Sequence, residues 1–212
     1  MPLQIALTAA LLTAGLLPGQ QTRPNRPSPG SSVSSNSIYT NSSYAFTCKV
    51  PVGWVLRTDE MNAGNDPAKS QVLLAAFERP PEASGGEPAS AIVIAMEPRS
   101  TYPALKTPED YFVPLAEVVT AKGFEAVNDP YPFPLGTTKI MRQDFSREQK
   151  DRPTIYQSTL VILSRGSILS FTFVATSEDE IDSVIENLSF HQKSAPKSAP
   201  VKKEKVPKKH PS

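Results

Sequence analysis

The stretch that decides the fold is YAFTCKVPVGWVLR, which runs from Tyr44 to Arg57. In its first half, bulky residues alternate with small or polar ones. Tyr44, Phe46, Cys48 and Val50 therefore share one side of an extended chain. A period of two predicts a strand whose bulky face is turned toward a core.

A tight turn follows this strand. Pro51 fixes its own φ and Gly53 allows a positive one, so the pair predicts a turn. Residues 54–57 then predict a short strand that returns beside the first. Cys48 is the only cysteine and lies on the bulky face, so we interpret it as a small buried residue. We interpret Trp54, the only tryptophan, as a core anchor and not as a platform for a ligand.

Two more hairpins are predicted downstream. Apolar runs at residues 71–79 and 90–97 form the first, with a long connection between them. Residues 155–164 and 167–175 form the second, which turns at Arg165-Gly166. Three alternating prolines within residues 129–136 predict an extended connection that stays outside any strand ladder.

Two helices are predicted from the capping residues and prolines at their ends. Thr107 can cap the first helix and Pro108 suits its first position, whereas Pro114 predicts a kink or a later start. Ser177 and Glu180 form a capping box at the start of the second helix, which carries an apolar stripe.

These elements place one domain at residues 38–190, in the order β-β-β-β-α-β-β-β-β-α. Strands joined mostly by hairpins, with two helices, predict an α+β fold. We expect a central antiparallel sheet with helices packed on it.

The two ends of the chain differ in composition from this domain. Residues 1–19 contain an apolar run that predicts a signal peptide, although an N-terminal core helix is the alternative. Residues 20–37 predict a linker rich in proline and serine, and residues 191–212 a disordered tail rich in lysine and proline. We therefore expect a periplasmic or secreted protein without a membrane span in the mature chain.

The charges limit the possible partners. The chain has 22 basic and 21 acidic residues, which does not favour specific binding of nucleic acid. Seven lysines nevertheless lie between Lys193 and Lys209, opposed only by Glu204. This segment either contacts an anionic surface or only keeps the terminus soluble.

The order of elements resembles that of PsbP-like and DcrB-like domains. The resemblance rests on Phe-x-x-x-x-Pro-x-Gly-Trp, here Phe46 to Trp54, followed by apolar strands, a proline-led helix, a long hairpin and a closing amphipathic helix. It implies an α-β-α sandwich of the kind common in exported or lipid-anchored proteins, most of them without enzymatic activity. The metal-linked role of the plant-type members is not implied, because this sequence has no matching histidines.

Residues for catalysis are scarce in this sequence. It has two histidines, His191 and His210, both near or within the tail, which disfavours a Ser-His or Cys-His pair. Arg142 and Asp144 share one strand face, and we interpret them as a solvated ion pair.

We accordingly predict a non-enzymatic exported binding or accessory protein whose partner is an unknown protein or envelope component. No catalytic, cofactor-binding or metal-binding residue is assigned, no cofactor is expected, and the ligand-binding residues are unknown. The alternative is a metal-dependent hydrolase that uses the carboxylates of a polar loop at residues 58–70, which include Asp59, Glu60 and Asp66.

Overall fold

The computed structural model describes residues 31–33, 37–79 and 90–191. The predicted signal peptide, most of the predicted linker and almost all of the predicted tail lie outside these residues. So does the connection between the strands of the first downstream hairpin.

The described residues form twelve strands and three α-helices. The strands are β1 (Ser31–Val33), β2 (Ile38–Asn41), β3 (Phe46–Lys49), β4 (Val55–Leu56), β5 (Gln71–Phe77), β6 (Ala91–Pro98), β7 (Glu125–Ala126), β8 (Tyr131–Leu135), β9 (Thr138–Gln149), β10 (Arg152–Ser164), β11 (Ser167–Ala175) and β12 (Leu188–Phe190). The helices are α1 (Thr58–Asn62), α2 (Phe112–Thr120) and α3 (Glu178–Ile185).

The strands form two sheets. The larger has eight strands in the order β4-β5-β6-β11-β10-β9-β7, with β8 also paired to β9. The smaller has the order β1-β2-β3-β12, and β1 lies within the segment predicted as linker. Every strand pair among the described residues is antiparallel. The predicted α+β class with a central antiparallel sheet is confirmed.

Each face of the larger sheet has its own apolar core. One core joins this sheet to α2 and to the segment that leads into it. The other joins it to α3 and to the inner side chains of the small sheet. A second sheet thus covers much of this face, where the sequence predicted helices.

The predicted hairpin at residues 44–57 is wrong. β3 pairs with β2 and β12, whereas β4 pairs with β5 in the other sheet. The turn at Pro51 and Gly53 therefore carries the chain from one sheet to the other. The period-two pattern indicated which side chains are buried. It contains no information about which strand pairs with which. Phe46 and Cys48 are fully buried, as predicted, while Trp54 is only half-buried at the margin of the core.

The proline-rich segment is extended as predicted, but it does join a ladder. β8 pairs with β9 from Tyr131 opposite Arg142 to Leu135 opposite Thr138. Pro132 and Pro134 alternate with the residues that bond to β9, so their missing N–H groups face away from the ladder. Proline is tolerated in a strand at such an outer edge.

A short helix, α1, occupies the start of the predicted polar loop at residues 58–70. The hydroxyl of Thr58 accepts the N–H of Ala75 at 3.0 Å. The Asn62 side chain accepts the N–H of Val72 and donates to its carbonyl, both at 2.9 Å. These side chains replace a neighbouring strand and satisfy the backbone of β5 where β4 has ended.

Three further local predictions agree with the structure, whereas the predicted cap at Thr107 is wrong, because no side chain caps the start of α2 or of the turn that leads into it. Arg165 and Gly166 have φ of 52° and 77° and join β10 to β11, as a two-residue turn with both φ positive requires. α2 begins at Phe112, so Pro114 lies in its first turn, where the N–H has no intrahelical partner to lose. The Ser177 hydroxyl accepts the N–H of Glu180 at 3.2 Å, as a capping box predicts.

Phe46 provides a test of how the two sheets are joined. Its ring contacts Tyr39, Phe171 and Phe190 at centroid distances of 5.8, 5.2 and 6.0 Å. Phe46→Ala should lower the free energy of unfolding by about 3 to 5 kcal/mol, measured by urea denaturation, because it opens a cavity between the sheets. Val52→Ala, at a side chain that is 95% exposed, is the control and should change it by less than about 0.5 kcal/mol. Equal losses in the two variants would refute this account of the packing.

Candidate functional site

The first polar cluster lies where β9 meets α3. Arg142 donates from Nε to Asp144 Oδ1 at 2.7 Å and from Nη1 to Asp182 Oδ1 at 2.8 Å. The Arg142 side chain is only 10% exposed, so the predicted solvated ion pair is in fact largely buried. The guanidinium also lies over the ring of Phe133, 5.0 Å from its centroid. One cation thus ties β9 to both α3 and β8.

Asp144 is held by further donors. The Asn128 amide at 2.8 Å and the Tyr131 hydroxyl at 3.0 Å both donate to its Oδ2. Burial alone would raise the pKa of Asp144, but the hydrogen bonds from Asn128 and Arg142 and the charge of Arg142 lower it below its usual range. Asp144 is therefore an ionised carboxylate whose two oxygens are both engaged inside the protein.

Tyr131 is held in its protonated form. Burial and the neighbouring charge of Asp144 raise the pKa of Tyr131 to about 12. The phenol therefore remains protonated and donates its hydrogen bond at neutral pH. A carboxylate whose two oxygens are both engaged and a phenol that keeps its proton form a structural joint, because neither takes up or releases a proton at neutral pH.

The second polar cluster lies on the opposite face of the sheet, in the core beneath α2. Glu97 is 2% exposed, and the hydroxyls of Tyr102 at 3.0 Å and Tyr111 at 2.8 Å both donate to its Oε2. Burial raises the pKa of Glu97, although the two hydrogen bonds oppose this effect. Burial and the nearby Glu97 carboxyl also raise the pKa of both tyrosines. The two donors fasten the segment between β6 and α2 to the sheet.

The sequence contained a signal for this second cluster that the prediction missed. Glu97 is a single acidic residue at the end of an apolar run, and Tyr102 and Tyr111 follow within the connection to α2. A carboxylate is rarely buried without partners. Its position in the run therefore indicated that donors had to lie close by.

The carboxylates proposed for the metal-dependent alternative do not converge. Asp59 and Glu60 are exposed on α1, and Glu60 pairs with Arg57 at 2.9 Å. Asp66 accepts the N–H of Ala68 at 3.0 Å. Among the described residues, no group of three or more acidic, histidine or cysteine side chains is placed to hold a metal ion. None of the helices in this part of the chain is long and apolar enough to cross a membrane.

Comparison with known proteins gives matches among solved structures. No protein-family model matches the sequence, and no curated protein matches it. A solved structure of cyanobacterial PsbP (CyanoP) from Synechocystis is 14% identical, with a TM-score of 0.49, over 75% of this chain and 95% of that one.

Two further solved structures belong to proteins with different descriptions. LpqN of Mycobacterium tuberculosis, described as involved in cell envelope biogenesis, is 16% identical over 69% of this chain and 83% of that one, with a TM-score of 0.36. The Ran-binding protein Mog1p of Saccharomyces cerevisiae is 13% identical over 69% and 79%, with a TM-score of 0.39. We therefore infer the function from the residues of this chain.

The first cluster predicts a difference between its two carboxylates. Asp144→Asn should lower the free energy of unfolding by about 2 to 4 kcal/mol, because it removes the main counter-charge of a buried guanidinium. Asp182→Asn should cost less than about 1 kcal/mol, because that side chain is 63% exposed. Urea denaturation of both variants at neutral pH provides the measurement. A larger loss for Asp182→Asn would contradict the structure.

The second cluster predicts a pH dependence. The pKa of Glu97 is raised in the folded state, so the folded protein holds this proton more tightly than the unfolded chain. Glu97 therefore stabilises the protein most below the usual glutamate pKa, and the contribution is lost as pH rises through the folded pKa. The melting temperature of Glu97→Gln minus that of the unchanged protein should accordingly increase with pH from about 4 to 8. Val113→Ala, at an exposed side chain of α2 that does not titrate, should show a constant difference. A constant difference for Glu97→Gln as well would show that Glu97 titrates normally.

Proposed function

We propose that this protein is a non-enzymatic binding or accessory protein that is exported and held at an anionic surface of the cell envelope by its lysine-rich C-terminal segment. One observation carries the proposal: the carboxylates of Asp144 and Glu97 are each engaged by partners inside the fold. Asp144 accepts from Arg142, Asn128 and Tyr131, and Glu97 accepts from two tyrosines.

The ionisation states of these groups also favour a structural role. Asp144 has a lowered pKa and remains a carboxylate, so it has no proton to give at neutral pH. Burial raises the pKa of Cys48 to about 12, which keeps it a thiol, whereas the thiolate is the nucleophile. Glu97 lies in a core lined by phenol rings. Each arrangement fixes a segment of the chain to the sheet.

The C-terminal segment provides the means of recruitment. Its seven lysines stand against a single acidic residue, Glu204. A cluster of four to eight basic residues near an anionic membrane contributes about 1 kcal/mol per residue. Export rests on the apolar run at residues 1–19, and the partner we propose is a protein or another envelope component.

Vesicle binding tests the proposal. The full mature chain should sediment with vesicles of about 30% anionic lipid and not with neutral ones, and the binding should weaken as salt is added. Changing Lys202, Lys203, Lys208 and Lys209 to Gln should weaken it by about tenfold or more. The matched control changes four exposed lysines of the body, Lys69, Lys106, Lys139 and Lys150, and should bind as the unchanged protein does. Equal binding by the two variants, or no binding at low salt, would remove the tail from the proposal.

A further inference from the structure

The outer face of α3 is strongly acidic. Glu178, Asp179, Asp182 and Glu186 are all exposed on α3 and at its C-terminal end. At 100° per residue these four positions fall within an arc of about 100°, which does not overlap the stripe that packs on the sheet. The helix therefore presents one continuous row of carboxylates along its solvent side.

Two acidic residues of this region already contact other residues of the protein. Asp182 pairs with Arg142, and Glu180 accepts from the Thr176 backbone and hydroxyl and from the Ser90 hydroxyl. Glu178, Asp179 and Glu186 form no ion pair with another described residue. No lysine or arginine occurs between Arg165 and Lys193, so the basic partner of this face among the described residues is Arg142 of β9, which pairs with Asp182.

The nearest basic residues in the sequence are the lysines of the C-terminal segment. The described structure ends at His191, five residues beyond Glu186 and immediately after β12. A flexible chain of the length of residues 192–212 has a root-mean-square span of about 25 Å, roughly twice the 12 Å length of an eight-residue helix. A tether of this length gives an effective local concentration in the millimolar range.

We propose that residues 192–212 bind back onto the acidic face of α3, and that this contact competes with the anionic surface for the same lysines. The competition rests on the proposed function, whereas the internal contact does not. Charge complementarity and tether length both favour this occupant. The contact consists of exposed ion pairs, so it is weak, sensitive to salt and easily exchanged for a denser anionic surface.

A nitroxide on the tail of the full chain tests the internal contact. Ser198→Cys provides the attachment point, because Cys48 is buried and its pKa is raised to about 12. At about 20 mM salt the label should reduce amide peak intensities along α3 by about twofold or more relative to those of α2, and at about 500 mM salt this difference should vanish.

Charge neutralisation provides the matched pair of variants. Changing Glu178, Asp179 and Glu186 to Gln, Asn and Gln should abolish the loss of intensity on α3. Changing Glu109, Glu117 and Glu125, which are exposed elsewhere on the body, to Gln should preserve it. Uniform broadening over the whole surface, or broadening of α3 that survives both neutralisation and high salt, would overturn the inference. The salt series on the otherwise unchanged chain decides the matter even if a triple variant does not fold.

Vesicle binding separates the two proposals. If the tail leaves α3 to bind lipid, the α3 triple variant should bind vesicles of about 30% anionic lipid about threefold to tenfold more tightly than the unchanged chain. If no variant binds vesicles while α3 is still broadened, the proposed function fails and the internal contact stands. If the α3 triple variant and the unchanged chain bind vesicles equally, the four-lysine tail variant binds more weakly and α3 is not broadened, the internal contact fails and the proposed function stands.

Discussion

The whole structure depends on one constraint, which is that β11 is buried on both faces. All nine residues of this strand are buried. Leu169, Phe171 and Phe173 face one core, while Ile168 and Val174 face the other. A strand of this kind is stable only when both faces of its sheet are covered. α2 and the segment that leads into it cover one face of the sheet. α3 and the small sheet cover the other.

Polar side chains also fasten the two layers to the sheet. Glu97 ties the segment leading into α2 to one face, and Arg142 ties α3 to the other. Side chains also protect the edges of the sheet. Thr58 and Asn62 form hydrogen bonds with the backbone of β5. The prolines of β8 leave its outer side without N–H donors. An open edge would invite pairing with another chain. The edges of β5 and β8 are thus protected by these side chains.

The sequence predicted what depends on local order. The β10–β11 hairpin followed from Arg165-Gly166, the start of α3 followed from its capping box, and the burial of Phe46 and Cys48 followed from alternation. It did not predict the two-sheet arrangement, because pairing of β3 with β12 joins residues far apart in the chain and leaves no local pattern. α1 was missed for a similar reason, since Thr58 and Asn62 are explained only by the edge of β5.

The two polar clusters show the same limit. Arg142 and Asp144 stood out in the sequence as neighbours on one strand face, but α3 and β8, which bury them, lie about 40 residues downstream and 10 upstream. Glu97 could have been recognised as a carboxylate in need of donors, whereas the identity of those donors depends on the path of the connection to α2. The sequence therefore indicates which charged side chains need partners, and the tertiary structure shows which residues those partners are.

Native-state hydrogen exchange of the full chain tests most directly the claim that both layers and the sheet form one unit around β11. The account predicts that the slowest amides of β3 and β12 exchange with the same free energy as those of β10 and β11, and that this energy equals that of global unfolding. If β3 and β12 instead open at a free energy several kcal/mol lower while β11 stays protected, the small sheet is an independent layer and the account is contradicted.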